Sequence, residues 1–122
     1  MISWPTIGYG AALSAIVAAL ALALTSRNHR VPVTAAGALA AATGPLAWNA
    51  ILRATHASTF FTDAPIPVFP ISWQDTGSGI FALASAFLLL CLGPLRTDPA
   101  HRVIAPAALT ALAALLVDIY LY

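Results

Sequence analysis

Four long apolar runs, separated by shorter polar stretches, set the pattern of this chain. They cover residues 7–25, 33–52, 77–92 and 103–122. A bilayer-spanning helix needs about 20 mostly apolar residues. Three of the runs come close to that length, and the third does so if Trp73 to Thr76 extend it. The pattern predicts an all-α membrane protein with four transmembrane helices arranged as two tandem helical hairpins. The whole chain, 1–122, forms one transmembrane domain, with halves 2–52 and 71–122 joined by a connection over 53–70. The first run is expected to be a retained helix and not a signal peptide, because Met1 to Thr6 carry no basic side chain.

The one long polar stretch, residues 53–74, is rich in Pro, Ser and Thr. Pro65, Pro67 and Pro70 oppose a regular helix there. The segment Phe69-Pro70-Ile71-Ser72-Trp73 is expected to lie along the membrane interface.

Repetition sharpens the two-hairpin reading. Ile2-Ser3-Trp4 followed by Gly8-x-Gly10 reappears as Ile71-Ser72-Trp73 followed by Gly77-x-Gly79. A second echo joins His29-Arg30-Val31 to His101-Arg102-Val103, each opening an apolar run. Trp, His and Arg are scarce in this chain, so their recurrence in order carries more weight than any alignment of alanines. Two spans per copy give both halves the same polarity, hence a parallel internal repeat about an axis along the membrane normal. Small residues at helical spacing predict close packing: Ser78, Ala82 and Ala86, Gly37 with Ala41, and Ala107 with Ala111.

Composition agrees with the pattern. The chain is 61% hydrophobic and 7% charged, where a soluble domain carries about 25% charged residues. All of its charge comes from five arginines and four aspartates, with a net charge of +1. That balance leaves no basic surface for nucleic acid. Four arginines (Arg27, Arg30, Arg96, Arg102) fall in the first and third loops, and only Arg53 falls on the other side. The positive-inside rule then places loops 26–32 and 93–102 in the cytoplasm and both termini outside, making this a multi-pass protein of the cell inner membrane. Trp4, Tyr9, Trp73, Tyr120 and Tyr122 gather at the outer interface in this arrangement. His29, Arg30, His101 and Arg102 form a basic girdle on the inner side, which topology alone explains. Cys91, the sole cysteine, lies inside an apolar run and reads as a small filler.

The polar residues that could carry chemistry lie at the outer side: Asn49, Arg53, His56, Asp63, Gln74, Asp75 and Asp118. A charge inside a span is costly, so Asp118 in the last run calls for a partner such as Arg53 or His56, or for contact with interfacial water. Asn49, Arg53 and His56 share a helical face at i, i+4 and i+7. Asp75 stands where a helix-start carboxylate satisfies free N–H groups, although the first repeat has Pro5-Thr6 where the second has Gln74-Asp75.

No metal or cofactor is expected. His29 and His101 face the side opposite His56, and no histidine pair has ligand spacing. Gly77-Ser78-Gly79 lacks the setting of a phosphate loop, and no motif links serine, histidine and aspartate into a hydrolase. No catalytic activity of its own is read from the sequence.

The leading expectation is an accessory or structural subunit of a larger membrane complex, respiratory, transport or envelope-building. Phe60, Phe61, Val68, Phe69 and Trp73 are its candidate docking side chains, and other integral membrane proteins and lipid its partners. The alternative is a small homo-oligomeric transporter or channel, for which Thr43, Asn49 and Ser85 are mild candidates. A third reading is a lipid-modifying enzyme using Asp63, Asp75 and His56.

Overall fold

The computed structural model describes residues 1–121 and is helical in all four predicted runs. Helix α1 spans Trp4–Thr25, α2 Arg30–Ala54, α3 Trp73–Leu92 and α4 His101–Leu121; a short 3-10 turn, Ser58–Phe61, follows α2. Each of the four helices is long and apolar enough to cross a membrane. Tyr122, expected at the end of the fourth span and in the aromatic belt, lies outside the described residues.

Every helix begins two to four residues earlier than its apolar run, and the polar residues at the starts explain why. Ser3 and Ser72 are the N-caps of α1 and α3, each accepting a hydrogen bond from the backbone N–H three residues on, Thr6 and Asp75. Such a cap stabilises a helix start by about 1 kcal/mol. The third span is therefore full length: Trp73 belongs to the helix and not to an interfacial strand of chain. Pro5 sits at the second position of α1, where a missing N–H costs nothing.

Two prolines lie within helices, Pro45 in α2 and Pro106 in α4. In each case a polar side chain one turn later bonds the proline's own carbonyl: Asn49 Nδ2 donates to Pro45 at 2.8 Å and Thr110 Oγ1 to Pro106 at 2.8 Å. These bonds add a second donor to the proline carbonyl; the carbonyls that lose a backbone donor to the prolines are those of Ala41 and Arg102, four residues earlier.

The helices close into a ring in chain order. α2 also meets α4 across the middle, whereas α1 and α3 stand diagonally opposite, with no backbone approach between them among the described residues. Neighbours run antiparallel, since close approaches step backwards along the partner: Gly44 lies against Ser78 and Ala82 while Trp48 lies against Gly77, and Gln74 bonds Asp118 while Gly79 lies against Leu115 and Ala111. At mid-depth the core is small, built of Ala18, Ala41, Ala82, Ala113 and Ala114. Near the loops joining α1 to α2 and α3 to α4 it is larger, with Leu22, Val33, Leu90, Leu95 and Val103. Lipid gives apolar helices no reward for associating, so close contact of small residues must hold them. The expected ridge of Ser78, Ala82 and Ala86 is wholly buried, and so are Gly37 and Ala41; Ala107 is buried and Ala111 partly so.

The bundle has two chemically different ends. The end with the two short loops carries Arg27, Arg30, Arg96 and Arg102, and is called here the arginine end. The opposite end, with the long connection, carries Asp63, Asp75 and Asp118 and is called the aspartate end. The second sequence echo does not hold in register: His29 is the N-cap of α2 with φ 53°, while His101 is already inside α4. Val31 is correspondingly exposed and Val103 buried.

Candidate functional site

At the aspartate end, the starts of α3 and the last turns of α4 leave a recess of about 290 Å³. Asp63, Asp75 and Asp118 line it together with Gln74 and Ser72. Three of the four acidic residues of the chain thus share one cavity, and neither arginine nor histidine lines it.

Local structure positions each of these groups. Ser72 and Asp75 form a reciprocal capping box. The Ser72 backbone N–H and its Oγ both donate to Asp75 Oδ2, at 2.8 and 2.9 Å, and the Asp75 N–H returns a bond to Ser72 Oγ at 3.2 Å. The cap is thus Ser72, and Asp75 is the third helical residue bonding back to it. Gln74 is 2% exposed, and its Nε2 donates to Ser78 Oγ at 3.3 Å and to Asp118 Oδ2 at 3.4 Å. This last bond crosses from α3 to α4. Asp118 itself is 3% exposed and lines this recess from within the bundle. A hydrogen-bonded amide lowers the cost of a buried carboxyl without adding a second charge.

The other residues of the predicted cluster go elsewhere. Arg53 donates to the backbone carbonyl of Ile2 and stacks its guanidinium 4.9 Å from the centre of the Trp4 ring. It ties the end of α2 to the start of α1 instead of reaching Asp118. His56 is exposed, beyond the end of α2, with φ 55°, and so leaves the helical face it was expected to share. Asn49 is buried and spends its donor on Pro45, while its Oδ1 finds no partner among the described residues.

The predicted docking side chains divide similarly. Phe60 packs edge-on against Trp48, with ring centres 6.1 Å apart, and Trp48 lies over Phe81 at 5.4 Å. Phe61 lines the acidic recess. Phe69 meets Tyr120 edge-on at 6.4 Å, and the Tyr120 hydroxyl donates to the Val68 carbonyl at 2.7 Å. Val68 (81% exposed) and Trp73 (68% exposed) project outward.

Sequence reasoning passed over Ser72 and Ser78, which belong to the site. Ser72-x-x-Asp75 has the capping-box spacing that could have found the first. Gln74 and Ser78, one turn apart on a helix, could have been paired by the i, i+4 rule. The pairing of Gln74 with Asp118, 44 residues apart, had no local signal.

No group of three histidine, cysteine or acidic side chains is arranged to hold a metal among the described residues. The arrangement offers a recess lined by three carboxyl groups beside apolar side chains, Met1, Ile2 and Phe61 among them, at one end of a bundle whose mid-depth core is small and apolar. Comparison with known protein families, curated proteins and solved structures gives no match.

Proposed function

We propose that this chain is an accessory subunit of a larger membrane complex, and that it presents its aspartate end to another integral membrane protein. The observation that carries this reading is the fixed apolar surface of the long connection. Val68 and Trp73 stand exposed: Val68 on a connection tied to α4 by the Tyr120–Val68 bond and closed on itself by the Ala64 N–H to Ile71 carbonyl bond of 2.8 Å, and Trp73 on the first residue of α3. Rigid apolar groups bind with little loss of conformational freedom, which is what an interface anchor requires. The acidic recess beside them would favour a partner with a basic side chain.

In this reading both termini and the connection face outward, and loops 26–32 and 93–102 face the cytoplasm of a cell inner membrane. The arginine count at the two ends supports that orientation. The two hairpins are read as copies of one ancestral hairpin. The matching serine caps of α1 and α3 support this. So does their shared burial spacing, Ile7, Gly10, Ala11, Ser14, Ala18 and Leu22 against Asp75, Ser78, Gly79, Ala82, Ala86 and Leu90. That spacing runs one residue out of step with the Ile-Ser-Trp match, as a copy that has since rotated slightly would.

The test is photo-crosslinking in native membranes from a probe at Val68, with Leu24 at the other end as control. The reading expects one dominant adduct of fixed mass from position 68 and none from position 24. Equal, diffuse adducts from both positions would refute it.

A second reading, a small homo-oligomeric transporter, draws on the same recess, because three carboxylates would concentrate cations at its mouth. Below it the core is filled by Ala18, Ala82 and Ala114, so a path would have to run between copies. Cation flux into vesicles that is abolished by Asp118→Asn would favour this reading over the first.

A further inference from the structure

The arginine end has a recess of its own. The first and third loops close over a cavity of about 300 Å³, with Arg27, Arg102 and Asp98 at its polar side and Val33, Leu95 and Leu109 on its apolar wall. Arg27 comes from the loop after α1 and Arg102 from the first turn of α4. Folding therefore brings two cations that are far apart in sequence to one cavity. The other two arginines with a defined role are occupied: Arg30 Nε donates to the Ser26 carbonyl, and Arg53 donates to the Ile2 carbonyl. Neither Arg27 nor Arg102 gives a side-chain hydrogen bond to another described residue, and both are exposed. Asp98 offsets one of the two charges, which leaves the cavity net positive.

We propose that this recess binds a phospholipid with an anionic head group. Guanidinium groups match phosphate oxygens in shape and charge, and basic pockets between membrane helices are recurrent sites for such head groups. The apolar wall selects the source of the phosphate. Ala105 is exposed and Pro106 and Leu109 partly so, backed by the buried Val33 and Leu95, and together they offer an acyl chain a surface that free phosphate has no use for. The site lies where α1 ends and α4 begins, the depth at which a lipid head group meets a spanning helix. It is independent of the docking surface at the aspartate end.

The experiment is native mass spectrometry of the full chain in mild detergent, offered equal amounts of phosphatidylglycerol and phosphatidylcholine with matched acyl chains. One phosphatidylglycerol should be retained at least about tenfold in preference, given a contribution of about fivefold per arginine. Arg27→Gln and Arg102→Gln should each lower the preference about fivefold, and the double variant should bring it near unity. Arg96→Gln removes the same charge from the same end but outside the recess, and should leave the preference intact. The single variants keep the test informative if the double variant fails to fold. Equal retention of the two lipids by the unaltered chain, or an equal loss in Arg96→Gln, would overturn the proposal. Displacement of the lipid by excess inorganic phosphate would assign the recess to free phosphate and overturn the lipid assignment.

Discussion

Gly8 and Gly77 hold the same place in the two Ile-Ser-Trp patterns and meet opposite surroundings. A methyl group at Gly8 would touch nothing within 4 Å, whereas one at Gly77 would coincide with the indole of Trp48. Gly44 is tighter still in kind, because its neighbours are backbone: a methyl there would stand 2.5 Å from the Ser78 carbonyl and 2.7 Å from the Ala82 nitrogen. A side chain can turn aside, but two packed helices can yield only by separating. Gly44→Ala is therefore expected to cost about 1–3 kcal/mol. Gly8→Ala should be neutral or gain up to about 1 kcal/mol from helix propensity. Thermal unfolding in detergent, followed by circular dichroism, reads both. Equal effects at the two positions would contradict the close approach of α2 and α3.

The connection between α2 and α3 is the element in which order is least expected from its residues and most fully built. Three prolines keep it from being a helix, yet it is fastened to α2 at Trp48 through Phe60 and to α4 at Tyr120 through Val68, and closed on itself by the Ala64–Ile71 bond. Tyr120→Phe keeps the ring contact with Phe69 and removes one hydrogen bond, worth about 1 kcal/mol. Hydrogen exchange over residues 64–71 should then speed up about fivefold, with the helix amides unchanged. Unchanged exchange in that segment would mean that Tyr120 does not hold it. Much at this scale was legible beforehand. The four runs gave the helices, and Pro65, Pro67 and Pro70 gave the irregular stretch. The start of α3 was placed late because hydropathy ends at polar Gln74, Asp75 and Thr76, whereas the cap at Ser72 decides where the helix begins. What could not be read was what Arg53 binds at the end of α2: its partners, the Ile2 carbonyl and Trp4, lie some 50 residues away.

For the whole molecule, the main feature is how charge is divided between the two ends. Arg27 and Arg102, with Asp98, line one recess and Asp63, Asp75 and Asp118 line another, with a small apolar core between them. Sequence alone placed Asp63, Gln74, Asp75 and Asp118 on one side of the membrane, and the fold brings these four to one cavity. It sends Asn49 and His56 elsewhere, because a helical face drawn from spacing ignores both the burial of Asn49 among neighbouring helices and the end of α2 before His56. On the function proposed above, the recess lined by Asp63, Asp75 and Asp118, with its apolar rim, serves as a surface for a partner. The most direct test is mild-detergent extraction from the native membrane, with sizing and mass spectrometry of what co-elutes, for the unaltered chain and for Val68→Asp with Trp73→Ala. The account predicts a large complex of fixed stoichiometry for the first and a released, still helical bundle for the second. A chain that runs alone or as a small homo-oligomer before any substitution would contradict it.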